Sequence, residues 1–447
     1  MEKNRIQLSD HFGYKRLIRF VLPSVAMMIF TSIYCVVDGL FVSNFTGETP
    51  FAALNLIFPL IMILGAVGFM LGTGGTAIVA KTLGMGNKEL ANRYFSFLVY
   101  FAIGTGIVLS ALGIILAPTV ATMLGATGDL HYYCVLYARV VLLGLPFFML
   151  QNLFQSFCIT AEKPKLGLLV TVGAGVTNMI LDALFVWILD LGLGGAAAAT
   201  ALAQFFGGIV PFIYFSSKKN TGTLRLGKTA FYGACLLKTC FNGSSELLSN
   251  VASSVVTILY NAQLMRIAGQ EGIAAYGAIM YVAFIFIAIF IGFVIGSSPI
   301  VSYHYGAGNT AELKNLFRKS LVIMGVAGVT MTTLAISFAR PLSYIFVGYN
   351  PALCDMTTHG FVIFALCYLS AGFNIFGSAF FTALNNGLLS AIVSFLRTIV
   401  FQCVAVSTLP YLFGLDGVWI SSVAADFGTL IVTVTLLLLM RKKYKYA

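Results

Sequence analysis

The sequence predicts an all-α integral membrane protein with twelve transmembrane helices in two pseudo-symmetric six-helix bundles. Three observations predict it. Apolar runs long enough to cross a bilayer recur along the whole chain. The positive charges sort to one side when those runs are counted as twelve. The second half repeats the first at a constant offset.

Of the 447 residues, 59% are hydrophobic and 9% charged, against about 25% charged in a soluble globular domain. Runs of about 18 or more apolar residues span a hydrocarbon core of about 30 Å. The backbone must satisfy itself there, which makes each run a helix. A β-barrel would instead show alternating strands of about 10 residues. The spans lie near residues 15–41, 51–81, 94–117, 131–160, 166–189, 195–216, 236–265, 273–303, 318–338, 358–384, 388–411 and 416–440. Pro23, Pro59 and Pro146 fall within or near them and are expected to kink them. Residues 1–14 are polar and lead into a full-length span from Leu17, so a retained first helix is expected rather than a cleaved signal. Eight scattered cysteines show no CxxC and no metal spacing; inside spans they read as small hydrophobes.

Charge tests the count. With the N-terminus cytoplasmic, the internal segments carry Lys3, Arg5, Lys15, Arg16, Arg19, Lys81, Lys88, Arg93, Lys163 and Lys165. They also carry Lys218, Lys219, Arg225, Lys228, Lys238, Lys314, Arg318, Lys319, Arg441, Lys442, Lys443 and Lys445. The external loops carry Arg266 and Arg340 alone, so the bias is twenty-two against two. Both termini are therefore expected in the cytoplasm of a cell (plasma) membrane protein. The net charge of +11 is that cytoplasmic face and needs no nucleic-acid partner.

Residues 74–95, GGTAIVAKTLGMGNKELANRYF, return at 296–317 as GSSPIVSYHYGAGNTAELKNLF, an offset of 222. The same offset pairs Gly47 with Gly269 and Ala52–Ala53 with Ala274–Ala275. It pairs Asn152, Ser156 and Thr160 with Asn374, Ser378 and Thr382, and Gly192, Gly195 and Thr200 with Gly414, Gly417 and Ser422. Six helices per repeat return the chain to its starting side, so the halves run parallel about an axis along the membrane normal. The expected division is an N-lobe at 1–217, a cytoplasmic linker at 218–235 and a C-lobe at 236–447. The GxGN turns after the second and eighth spans read as tight corners. A nucleotide loop would need a preceding strand or a Walker motif, and neither is present.

A charge inside a bilayer costs at least about 2.5 kcal/mol on insertion scales and marks function by default. Asp38 in TSIYCVVDGLF and Asp182 in TNMILDALFVW are the clearest cases. Asn178 precedes Asp182 by four residues and shares its helix face. Two carboxylates and an amide oxygen suit Na⁺; alternatively, a carboxyl taken out of water can carry a proton. A structural hydrogen-bonding role is the plain alternative. The seventh span bears a polar stripe of Glu246, Ser249, Asn250, Ser253, Thr257, Tyr260 and Asn261, which must turn away from lipid. Glu246 is a candidate second cation site or a counter-charge for substrate. Candidate cavity-lining residues are Tyr34, Asn152, Ser156, Ser249, Asn250, Ser253, Asn374 and Ser378, with polar packing between helices as the alternative. Arg139 and Arg397 are read as structural, and the four histidines as incidental. The 39 Phe and 15 Met supply adaptable surface for flat, apolar cations wherever they line a cavity.

With an Asp in YCVVDGLFV of helix 1 and N-x-x-x-D in helix 5 of two six-helix halves, the chain resembles the multidrug and toxic compound extrusion (MATE) transporters over essentially its whole length. The resemblance implies two lobes around a V-shaped cavity, and export of organic cations in exchange for H⁺ or Na⁺. It further implies a coupling-ion site on Asp38, Asn178, Asp182 and Thr200, and a functional role for Glu246. No cofactor is implied beyond bound Na⁺, the partners are small organic cations and the lipid bilayer, and a monomer is expected. The rival within the superfamily is a lipid-linked oligosaccharide flippase or a specific metabolite exporter; the acidic intramembrane charges argue for cationic cargo. An enzyme is disfavoured, since no HExxH, GxSxG or His/Asp cluster falls within a span.

Overall fold

A computed structural model describes residues 6–218, 220 and 222–447, so Lys3, Arg5 and Lys219 of the charge count lie outside the described residues. Every element among the described residues is helical: α1 (Tyr14–Phe45), α2 (Glu48–Gly84), α3 (Lys88–Met123), α4 (Gly128–Leu143), α5 (Leu145–Thr160), α6 (Pro164–Asp182) and α7 (Gly192–Ser216) in the first half. The second half holds α8 (Gly233–Gly306), α9 (Thr310–Ser337), α10 (Ala339–Val347), α11 (Pro351–Ala365), α12 (Tyr368–Ala383), α13 (Gly387–Phe395) and α14 (Gln402–Tyr444). π-helical stretches follow α6 (Ala183–Ile188) and α13 (Leu396–Phe401).

Twelve membrane spans emerge from these elements. The 74 residues of α8 would reach about 110 Å as one rod, far beyond about 30 Å of hydrocarbon. The chain instead reverses at Gly269, where φ is 62° and ψ −149°. The apolar stretch Gly387–Tyr444 likewise breaks at Gly414, with φ 58° and ψ −132°. The pairs α4/α5 and α11/α12 are single spans bent by 54° and 48°. Pro146 stands at the start of α5, beside the first bend. The short α10 was not expected from sequence; it caps the second half between α9 and α11.

The repeat is visible in backbone geometry. Gly47 and Gly269 both take positive φ, as do Gly86 and Gly308, and Gly192 and Gly414. Each pair is 222 residues apart. At the reversals Gly47 and Gly269, a side chain would strain the left-handed turn. Asn87 caps α3 by accepting from Leu90 N, and Asn309 caps α9 by accepting from Glu312 N. The bends at Gly144 and Leu366 obey the same offset.

Two apolar cores form. One gathers residues from Val42 to Leu226. The other gathers Tyr260 to Tyr446 together with Leu8, Phe12, Leu17, Phe20, Val21 and Ile159 from the first half. The connecting segment between α7 and α8 is tied to the start of α3: Arg225 N donates to Asn92 Oδ1 at 2.7 Å and Gly227 N to Ser96 Oγ at 3.0 Å.

The halves meet on the side that carries both chain ends. A Cβ on Gly84 would collide with the Tyr303 carbonyl, and one on Gly306 with the Lys81 carbonyl. These two contacts exchange under the repeat. Asn385 Nδ2 donates to Ala77 O at 3.3 Å, and Lys81 Nζ stands 4.9 Å from the Tyr305 ring centre. The segment before α1 adds a strap. Leu8 N donates to Glu162 Oε1 and Phe12 N to Glu312 Oε1, each at 2.9 Å. Around the opposite end, the contacts of Arg266 with Tyr411 and of Phe45 with Trp187 stay within one half. The fold is thus closed on the side of the termini.

Candidate functional site

Two helices of the first half, α1 and α6, bring the acidic residues together. Asp38 projects from α1 about two turns before its end. Asn178 and Asp182 project from one face of α6, and the helix changes from α to π directly after Asp182. Such changes of pitch recur at functional sites because they re-aim side chains. Asp182 is fully buried and Asn178 is 3% exposed; Asp38 and Thr200 are half-buried. The Asp38 carboxyl faces Asp182 and Asn178, and Thr200, from α7, faces the Tyr137 hydroxyl of α4. Tyr137 also stands beside both aspartates.

Asp38 Oδ1, both Asp182 carboxyl oxygens and Asn178 Nδ2 are buried without a hydrogen-bond partner. Such groups are costly in low dielectric unless something pairs with them. Three carboxyl oxygens crowded in one place can share a proton or surround a hard cation. Two carboxylates this close cannot both stay charged and unpaired.

Other candidates fall elsewhere. Tyr34 lies beside Asp38, one helical turn earlier. Glu246 is half-buried on α8 before the Gly269 break. It does not join the Asp38 group. Gly243, one turn earlier, packs against the Met70 carbonyl of α2, so Glu246 stands beside the seam between the halves. Ser249 and Asn250 are half-buried and Ser253 exposed along the same helix. Their hydrogen bonds run back to the helix itself: Asn250 Nδ2 to Glu246 O and Ser253 Oγ to Ser249 O, both 2.8 Å. Ser156 is half-buried. Asn152 is 5% exposed, with Nδ2 lacking a partner.

Asn374 and Ser378 both find partners within their own half. Asn374 is fully buried, donates to the Asp426 carbonyl at 2.7 Å and accepts from Thr433 at 3.1 Å. Ser378 lies 2.9 Å from both the Ser390 and Ser394 hydroxyls. Both bind helices of their own half together, because a polar face that avoids lipid can turn to a neighbouring helix as well as to water.

Sequence reasoning missed two residues. Tyr137 looked like any of twenty tyrosines. Asp426, 4% exposed in the last span, pairs with Arg397, whose Nε donates to Asp426 Oδ1 at 2.7 Å. An acid flanked by apolar residues in VAADFGT carries the same signal as Asp38. Arg397, read as structural from the sequence, is held by this buried acid.

A family model described as MatE matches residues 23–184 and 247–408, one match in each half. The multidrug export protein MepA of Staphylococcus saprophyticus is 23% identical over 96% of this chain and 94% of its own. MepA of Staphylococcus haemolyticus is 23% identical over 92% and 90%. Among solved structures, the outward-facing conformation of a multidrug resistance MATE family transporter is 21% identical, with a TM-score of 0.92 over 98% of both chains. A Pyrococcus furiosus transporter of the MOP superfamily, described as having a binding pocket of reverse polarity that suggests a different function, is 22% identical. Its TM-score is 0.90 over 98% of both chains.

Proposed function

The chain belongs to the MatE family of multi-pass membrane transporters, and from that membership we propose that it exports organic cations in exchange for H⁺ or Na⁺ by alternating access. The observation that carries the coupling is the group of unpartnered polar atoms on Asp38, Asn178 and Asp182. A proton or Na⁺ there offsets one carboxylate charge and stabilises one arrangement of α1 against α6 and α7. Release returns the charge and favours another. Thr200 adds a hydroxyl oxygen for Na⁺, and Tyr137 holds it in place. Supporting the cargo class, the S. saprophyticus relative is named a multidrug export protein, and the buried charge without a partner is acidic. The shared shape of the P. furiosus protein means that polarity, and not fold, must identify the cargo.

The repeat and the cores support lobes at 1–217 and 236–447 with a linker at 218–235. The positive-charge bias supports a plasma-membrane protein with cytoplasmic termini, so the closed side is the cytoplasmic one. We take the protein as a monomer.

The test is purified protein in vesicles loaded with a fluorescent organic cation, with Na⁺ and H⁺ gradients imposed separately. One gradient is expected to drive dye movement in the wild type. Asp38→Asn and Asp182→Asn are each expected to lower the gradient-driven rate at least about 10-fold, as loss of about 1.4 kcal/mol of differential ion binding requires. Undiminished driven transport in both variants would overturn the site.

A further inference from the structure

Where α1 and α9 begin, the protein has a slot of about 360 Å³ lined by Tyr14, Ala311, Lys314, Asn315, Arg318 and Lys319. Three of its six walls are cationic. Lys319 is engaged, donating to Phe12 O at 2.7 Å and standing 5.4 Å from the Tyr14 ring centre. Asn315 also donates to Phe12 O, at 3.0 Å. Among the described residues, no carboxylate forms an ion pair with Lys314 or Arg318. Both are exposed.

What lies below the slot identifies its occupant. One and two turns on from Tyr14, the same face of α1 presents Ile18 and Leu22, both exposed. From Lys314 and Arg318, the same face of α9 continues to Val322, Val326 and Val329, which are also exposed. Residues four apart stack along one helix face, so Lys314 and Arg318 stand above one exposed apolar stripe and Tyr14 above another. A soluble anion would use the cations alone. A phospholipid with a net negative headgroup uses both, with its phosphate among Lys314, Arg318 and Lys319 and its acyl chains along the stripes.

We propose that this slot is a binding site for an anionic phospholipid. Placing it in the cytoplasmic leaflet rests on the orientation given above; the selectivity for headgroup charge does not. Because Lys319 and Asn315 also hold the strap at Phe12, the bound lipid buttresses the closed cytoplasmic side.

The experiment is native mass spectrometry of the full chain released from nanodiscs of equal phosphatidylglycerol and phosphatidylcholine. One retained phosphatidylglycerol is expected, in clear excess over phosphatidylcholine. Each basic residue near a membrane surface contributes enough that Lys314→Gln with Arg318→Gln should lower that preference roughly 30-fold. The control Arg441→Gln with Lys442→Gln removes equal charge from the last turn of α14, on the same side, and should leave it unchanged. Equal retention of the two lipids overturns the proposal, as does an equal loss in the control. Displacement of the lipid by millimolar inorganic phosphate would make the slot a soluble-anion site and overturns it too. Lipid binding needs no transport, so failure here leaves the antiport reading standing.

Discussion

Tyr260 donates its hydroxyl hydrogen to Gln402 Oε1 over 2.9 Å; Tyr260 stands 222 residues after Asp38, and Gln402 meets Asp182 once a two-residue gap near Leu166 is allowed in the repeat. Ser422, the counterpart of Thr200, lies 2.8 Å from the same hydroxyl. With the Tyr260 hydrogen already given to Gln402, Ser422 supplies the hydrogen of the second bond. The second half therefore keeps the scaffold of the candidate ion site and fills it with neutral, mutually satisfied groups. The first half leaves four polar atoms without partners at the equivalent place. The two halves thus differ in whether these positions are satisfied within the protein.

Tyr260→Phe separates these roles. The ring keeps its stacking on Tyr276, with centroids 4.8 Å apart, but Gln402 Oε1 and Ser422 lose their partner. Buried groups left unsatisfied in this way cost about 2 kcal/mol. The expected result is a lower unfolding midpoint in detergent with an unchanged ion dependence of transport. A changed ion preference would mean that the second half also binds the coupling ion.

The Arg397–Asp426 pair offers a second separation. Its side chains are 21% and 5% exposed, so removing one charge strands the other. Asp426→Asn is expected to cost about 3 kcal/mol, read from the unfolding midpoint. The double variant Arg397→Met with Asp426→Leu should recover much of that loss, since an apolar pair often replaces a buried ion pair without penalty. Equal destabilisation in single and double variants would show that Asp426 matters for something other than Arg397.

Much of this architecture was legible in the sequence because the bilayer leaves little choice. Span length and positive-charge bias give the twelve helices, and Gly47/Gly269 and Asn87/Asn309 carry the repeat into both sequence and backbone. Asp38 and the Asn178–Asp182 pair stood out as polar groups in apolar spans at helical spacing. Tyr137 did not, because its role depends on α4 meeting α6 and α7, a relation that no local pattern encodes. Asn374 and Ser378 mark the limit of periodicity, which shows only that a face avoids lipid. Whether that face meets water or another helix is decided by packing.

The strap is expected to hold the closed side shut. Glu162 in one half and Glu312 in the other each accept a backbone N–H from residues 6–13, and His11 Nδ1 lies 2.6 Å from Glu312 Oε2. Opening that side must release one carboxylate. A hydrogen bond to a charged group contributes about 1.5–3 kcal/mol, so Glu312→Ala should speed amide exchange at Leu8–Phe12 by roughly 10-fold or more. Unchanged exchange would mean that burial of Leu8 and Phe12 alone holds the strap.

The sharpest conformational prediction comes from the two glycines that exchange under the repeat. At Gly84 and Gly306 the added methyl of alanine meets a backbone carbonyl of the other half, Tyr303 or Lys81. Backbone in a packed helix cannot step aside as a side chain can. The closed state is destabilised, while a state open on that side is untouched, because there the helices have separated. Gly84→Ala with Gly306→Ala should therefore shift the population toward the state open at the termini. Spin labels at exposed Lys88 and Thr310, placed in a cysteine-free background, report the separation of the two corners. Their distance distribution should move to longer values in the double alanine variant, and transport should slow because the outward-open state is reached less often. An unchanged distribution would show that α2 and α8 slide past each other without parting.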